Sequence, residues 1–242
     1  MEKAIYHKMA AIEDVHWWFI GRRFIVEKIL NQLSLPKTAE VLEVGCGTGG
    51  NLTLLAKYGK VYGVELDDTA REYACRRGIG TILPGSLPDE IPFTGQLFDL
   101  IVMTDVLEHV GEDQVALERI YLRLRLGGYI LITVPAFPSL WSRHDALHHH
   151  KRRYTKERLR TILINGGYTI VKTSYINCIL FPAIAGVRLM QRFLGMAEAD
   201  DLKLYPPFIN RLLAGLFAGE GHLLGSVSLP FGLSLLCVGR KV

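Results

Sequence analysis

Apolar and polar positions follow two alternating periods along the chain. "FDLIVM" (Phe98–Met103) and "YILITVP" (Tyr129–Pro135) are short, nearly unbroken apolar runs, the pattern of strands buried on both faces. Shorter runs at Glu40–Val44, Val61–Glu65, Thr81–Pro84 and Tyr168–Tyr175, and the closing "GLSLLCVGRK", predict the remaining strands. Between them apolar residues recur at helical spacing. This predicts helices over about Val15–Leu33, from Asn51, over Thr69–Arg77, over Asp113–Leu124 and over Thr155–Asn165. Gly127–Gly128 is read as the stop of the fourth helix, and Thr155 as the N-cap of the fifth. A helical insert is expected over about Leu180–Leu224. Strands alternating with helices predict an α/β, doubly wound, Rossmann-like sheet. Its ligand is expected outside the carboxyl ends of the strands.

The 242 residues suit one domain, and no repeat or linker divides them. The expected parts are an N-terminal helical lid (1–35), a core (36–176), a helical insert (177–226) and the last strand (227–242). The 28 basic and 24 acidic residues leave only +4, which argues against DNA and does not favour RNA. Four scattered cysteines show no paired metal spacing, and no metal site is assigned. The N-terminus lacks an apolar signal core, and no run reaches the ~20 residues that span a bilayer, so the expectation is cytoplasmic. The last third is nonetheless greasy. "INCILFPAIAGVRLM" and "LLGSVSLPFGLSLLCV" are almost free of charge, suiting ordinary amphipathic packing, an apolar pocket, or peripheral contact with the inner face of a membrane.

"VLEVGCGTGG" satisfies G-x-G-x-x-G between a strand and a helix, a turn that aims backbone amides at a nucleotide. Glu65 ends the second strand, placed to accept from ribose hydroxyls. Both features fit either a dinucleotide or an adenosyl cofactor. Glu43 separates the two. A carboxylate ending the first strand would repel a pyrophosphate and attract a cofactor bearing an ammonium and a sulfonium, which favours S-adenosyl-L-methionine. "VLEVGCGTGGNL", "VYGVELDD" and "FDLIVMTDVLEHV" together resemble three ordered motifs of class I S-adenosylmethionine-dependent methyltransferases. The resemblance implies a seven-stranded sheet with an antiparallel last strand. It implies cofactor contacts at Glu43, Gly45, Cys46, Gly47 and Gly49, ribose contact at Glu65, and Leu66 and Asp67 beside the adenine. Ser86 and Leu87 stand where many members place an acid, and Thr104 and Asp105 end the fourth strand.

Methyl transfer is an in-line displacement, so the acceptor site must mainly align a nucleophile. "TDVLEHV" and "SRHDALHHHKRRYTKERL" supply candidates. His150 and His109 are the candidate catalytic residues, since imidazole can deprotonate a hydroxyl. Asp105, Glu108 and His109 fit a loop-to-helix cap. They also fit a divalent-metal site completed by His149 or His150, a pattern similar to metal-assisted RNA 2′-O-methyltransferases and to ubiquinone-pathway O-methyltransferases. The H-x-R-R-Y run is similar to one found over the acceptor pocket of related bacterial methyltransferases, which implies acceptor contacts at Arg152, Arg153 and Tyr154. "HWWFIGRR" places Trp17, Trp18, Arg22 and Arg23 in the lid, packing it on the core or covering the acceptor. The leading expectation is methyl transfer to an oxygen of an apolar or lipid-like small molecule. The alternatives are RNA 2′-O-methylation and a non-catalytic cofactor-binding module.

Overall fold

In the computed structural model, which describes residues 3–194 and 202–242, seven strands form one sheet. The chain opens with α1 (Lys3–Ile12) and α2 (Trp17–Leu30). There follow β1 (Ala39–Val44), α3 (Leu52–Leu55), β2 (Gly59–Glu65), α4 (Asp68–Arg76), β3 (Thr81–Pro84) and β4 (Phe98–Thr104). The second half carries α5 (Asp113–Arg123), β5 (Leu124–Pro135), α6 (Arg143–Leu147), α7 (Lys156–Asn165), β6 (Thr169–Ile176), α8 (Phe181–Leu194), α9 (Pro207–Leu223) and β7 (Ser234–Arg240). The order is β3-β2-β1-β4-β5-β7-β6, with β7 antiparallel to both of its neighbours and every other pairing parallel.

Alternation along the central strands splits the core in two. Leu42, Val44, Ile101, Met103, Ile130 and Ile132 face α5 and α7, whereas Val41, Leu100, Val102 and Leu131 face α2 and α9. Glu43 shares the parity of Val41 and is fully buried. On the second face α2 packs along α9. Phe217 lies 5.1 Å from the Trp18 ring centroid and 6.2 Å from that of Trp17. A Cβ on Gly21 would stand 2.4 Å from Phe217 Cδ1, so the absent side chain is what lets the helices close. Buried Asn210 of α9 accepts from the Trp17 amide at 3.0 Å and donates to the Val15 carbonyl, joining the insert to the start of α2.

The elements depart from the sequence pattern in three places. The helix expected over about Val15–Leu33 is α2, and a further helix, α1, precedes it; the chain breaks at 13–16, and His16 caps α2 by accepting from the Trp18 amide. Histidine is not a favoured N-cap, which hides the break. Gly127–Gly128 does not stop α5; the helix ends at Arg123 and β5 begins at once. Gly127 adopts φ +81°, and the pairing of β5 with β4 shifts register there, while Gly127 N and Gly128 O bond Lys241. The glycine pair shapes a bulge rather than a cap. The expected insert consists of α8 and α9. Residues 195–201 of it, and 1–2 of the expected lid, lie outside the described residues. No helix among the described residues is long and apolar enough to cross a membrane.

Tyr154 and Arg152 require correction as acceptor contacts. The Tyr154 ring is fully buried, and its hydroxyl donates to Asp113 Oδ2 at 2.9 Å. The same oxygen takes Arg152 (2.6 Å) and Arg158 (2.8 Å), so the group ties α5 to α7. Tyr154→Phe is expected to lower stability by about 1 kcal/mol in urea denaturation, by deleting one buried hydrogen bond to a charged group, with cofactor affinity unchanged. A loss of cofactor or acceptor binding with stability intact would contradict this assignment.

Candidate active site

A cavity of about 800 Å³ opens at the carboxyl ends of β1, β2, β4 and β5, large enough for two ligands side by side. At its centre β1 runs into a glycine turn whose first two amides, Gly45 N and Cys46 N, bond the Val64 carbonyl (2.8 and 3.0 Å). A Cβ on Gly45 would lie 2.6 Å from Val106, and its φ of +67° also disfavours a side chain. Glu65, at the end of β2, accepts from Gly47 N (2.8 Å) and Asp67 N (2.9 Å). Burial raises its pKa while these amides oppose the shift. Leu66, Asp67, Ser86 and Leu87 continue the wall on this side.

Glu43 holds the other side. Its Oε1 accepts from Asn51 Nδ2 at 2.7 Å, and the same amide reaches Thr104 Oγ1 at 3.0 Å. Its Oε2 is buried and has no hydrogen-bond partner among the described residues. Burial pushes this carboxyl up to about 7, while Asn51 and Arg22 pull down and Glu13 and Glu65 push further up. Across from it, Arg22 pairs with Asp105 through Nη1, while its buried Nε also lacks a partner among the described residues. Asp105 in turn accepts from Thr133 Oγ1 at 3.0 Å and sits at φ +56°, a costly backbone for a non-glycine residue. An acceptor and a donor without partners among the described residues, on two residues that line one cavity, suit the ammonium and carboxylate of an amino-acid tail.

Tyr6, Met9 and Glu13 of the first helix and its following turn also line the cavity. Glu13 Oε1 takes Thr48 Oγ1 and Arg77 Nη2, both at 2.6 Å, binding the N-terminal segment to the glycine turn and α4. Burial and the charges of Glu65 and Asp67 raise the Tyr6 hydroxyl.

The opposite end of the cavity is formed by a 3-10 turn at Leu107–His109 and the loop around His150. Glu108 is fully buried, and burial followed by the charge of Asp105 raises its carboxyl well above the ordinary range. The His109 and His150 rings meet edge to face, with centroids 4.7 Å apart. Burial and the neighbouring His150 lower His109 to about 4. His150 Nδ1 contacts Asp145 Oδ1 at 2.8 Å. Burial disfavours charge on Asp145, but contacts from His150, Arg153 and the Ser142 amide prevail and hold its pKa below the carboxylate range.

Of the sequence-derived candidates, Glu43, Gly45, Cys46, Gly47, Glu65, Leu66, Asp67, Ser86, Leu87, Thr104 and Asp105 all line this cavity, as do Trp17, Trp18, Arg22, Arg23, His109, His150 and Arg153. Arg153 does so while pinned to Asp145 and to the Ala136 carbonyl. Gly49 is a correction: a Cβ there would press on Arg77, Leu52 and Ala74, so its place is packing against α4, and Gly50 lines the cavity instead. The Glu43 partner Asn51 was missed, as were Tyr6, Met9 and Glu13. The spacing of Tyr6, Met9 and Glu13 marks one helical face and was the available signal.

A family model described as "Methyltransferase domain" matches residues 18–173. The chain belongs to that family. It is a class I S-adenosylmethionine-dependent methyltransferase, and S-adenosylmethionine is its cofactor. A trans-aconitate 2-methyltransferase from Variovorax paradoxus is 27% identical over 221 residues, covering 79% of this chain and 78% of that one. A ubiquinone biosynthesis O-methyltransferase from Rickettsia canadensis is 28% identical over 119 residues, or 47% and 50% of the two chains. Among solved structures, one from a complex of the Haloferax volcanii Trm112 methyltransferase activator with a methyltransferase superposes with TM-score 0.64 at 16% identity, covering 98% of this chain and 94% of that one. A Haemonchus contortus phosphoethanolamine N-methyltransferase 2 bound to S-adenosyl-L-methionine gives TM-score 0.58 at 16% identity, covering 88% and 51%. The last two show the fold.

The raised carboxyl of Glu43 predicts a pH dependence. A carboxyl raised to about 7 must release its proton to meet an ammonium, so cofactor affinity should fall as pH drops below about 7, by up to about tenfold per unit. Above that value it should level off. Calorimetry near neutrality in buffers of differing ionisation enthalpy should register proton release on binding. Glu43→Gln should abolish both effects, and a flat profile for the unaltered protein would dissociate Glu43 from the cofactor.

Proposed function

We propose that this methyltransferase transfers the methyl group to an oxygen of a small, apolar acceptor. The cofactor brings a methyl already activated on a sulfonium. Glu43 meets its ammonium, Arg22 its carboxylate and Glu65 its ribose hydroxyls, while Leu66 and Leu87 flank the adenine and Ser86 offers a polar contact. Asp105 stays paired to Arg22 and holds that arginine against the tail. What remains for the chain is to align the acceptor and exclude water.

One observation carries the reading of the acceptor: the convergence of Glu108, His109 and His150 on the cavity that also holds Glu43. These groups suit a hydroxyl and its proton. The name of the Rickettsia relative, an O-methyltransferase, agrees. Trp17, Trp18, Ile184 and Leu233 add an apolar portion to the wall, beside basic Lys151 and Arg188. Beyond it, α9 turns an uncharged stripe to solvent, with Phe208 at 78% exposure, Leu212 at 53%, Ile209 at 41% and Leu216 at 37%. That stripe supports a lipid-like acceptor approached at a membrane surface.

The test is an acceptor panel read by release of S-adenosylhomocysteine. Apolar phenols and long-chain alcohols should support turnover, and amines of similar size should not; the opposite pattern would remove the oxygen assignment. With an acceptor carried in vesicles, Phe208→Glu combined with Leu212→Glu should cut turnover by about tenfold while sparing a short soluble analogue.

A further inference from the structure

The three cations that follow His150 have different surroundings. Arg152 Nη1 pairs with Asp113 at 2.6 Å, and Arg153 Nε pairs with Asp145 at 2.8 Å. Lys151 lines the cavity, yet its ammonium makes no ion pair or hydrogen bond among the described residues. The backbone fixes its place there. Lys151 N donates to the Glu108 carbonyl at 2.7 Å, His150 N to the Asp145 carbonyl at 2.9 Å and His149 N to the Ala146 carbonyl at 3.1 Å. His149 lines the same cavity at φ +56°, a backbone that a non-glycine residue adopts at a cost.

The acids of that region do not neutralise Lys151. Asp105 is matched by Arg22 and Asp145 by Arg153. Glu108 is fully buried, and neither of its carboxylate oxygens has a hydrogen-bond partner among the described residues, Lys151 included. Arg188 of α8 brings a second positive charge to the wall, one helical turn after Ile184. Arg188 enters as a charge only, since its side chain has a contact of its own. A cleft with a surplus of one sign concentrates ions of the other. The apolar portion at Ile184 and Leu233 and the basic portion at Lys151 together suit a molecule that is greasy and acidic at once.

We propose that the methyl acceptor carries a carboxylate or a phosphate on its apolar body, and that Lys151 binds this acidic group. A lysine suits the task, being a compact point charge whose three donors turn to meet either group. Lys151 is a specificity-determining residue here, holding the acceptor by a group that does not react. Among apolar hydroxyl compounds it selects those that also bear an acid. The apolar body and the reacting oxygen rest on the function proposed above, whereas the capture of the acid is read by binding alone.

The experiment saturates the full chain with S-adenosylhomocysteine, which fills the cofactor end and prevents turnover. Decanoate, decyl phosphate, decanol and decylammonium, each below its micellar concentration, are then titrated in by calorimetry. At least one of the two acids should bind about tenfold tighter than the alcohol, and the advantage should shrink between ~50 and ~500 mM salt. Which acid gains the advantage tells carboxylate from phosphate. Lys151→Ala should remove the advantage, Lys151→Arg should keep most of it, and Lys151→Glu should turn the preference toward decylammonium. Affinity for S-adenosylhomocysteine should stay unchanged in all three, which also confirms that each variant folds. Lys37→Ala, an exposed change before β1, should alter nothing. Equal affinity for acids and alcohol, no binding of either acid at millimolar concentration, or an acid affinity that Lys151→Glu leaves intact would overturn the proposal. Because no methyl moves in this assay, a failed acceptor panel removes the oxygen assignment and leaves this result standing.

Discussion

A carboxylate kept dry at the end of β1 is the constraint around which the site is arranged. An isolated charge in that position would cost several kcal/mol, and Asn51 satisfies only one of the two oxygens of Glu43. Two sets of polar contacts lie around it. Asn51 bridges to Thr104 on β4, while Arg22 of α2 pairs with Asp105, which Thr133 of β5 also holds. Three strands, a turn and α2 thus contribute polar groups around a carboxylate that keeps one oxygen without a partner among the described residues, and burial raises its pKa.

The same requirement explains the thinness of the turn beside it. Gly45 faces Val106 at a distance that excludes any side chain, so loop and 3-10 turn close to leave a narrow floor. The two ends of the cavity are then chemically distinct. One end offers the glycine turn and the Glu65 carboxylate, the other a compact set of imidazoles and acids backed by Asp145. Because Asp105 and Glu108 are three residues apart on one connection from β4, a single short segment carries both the partner of Arg22 and the buried acid beside His109.

Features with a local cause were legible in the sequence. The apolar runs of β1, β4 and β5 admit only buried strands, and Glu43 and Glu65 end strands whose register is set by those runs. What escaped depends on partners distant along the chain. The H-x-R-R-Y run reads as acceptor contacts from its resemblance, yet Asp113, some forty positions earlier, draws Tyr154 and Arg152 to itself. Gly127–Gly128 resembles a helix stop until Lys241 at the far end of the chain takes its hydrogen bonds. The break before α2 needs Asn210 of α9 to satisfy the groups it exposes.

The contacts of Glu13 make the N-terminal segment part of the cavity wall. Its carboxylate clasps Thr48 and Arg77, its carbonyl receives Arg23, and Tyr6 and Met9 line the same cavity. The portion of wall that α1 contributes is thereby anchored on the glycine turn and on α4, so a change at Thr48 or Arg77 acts on the shape of the cavity through a helix that neither residue belongs to.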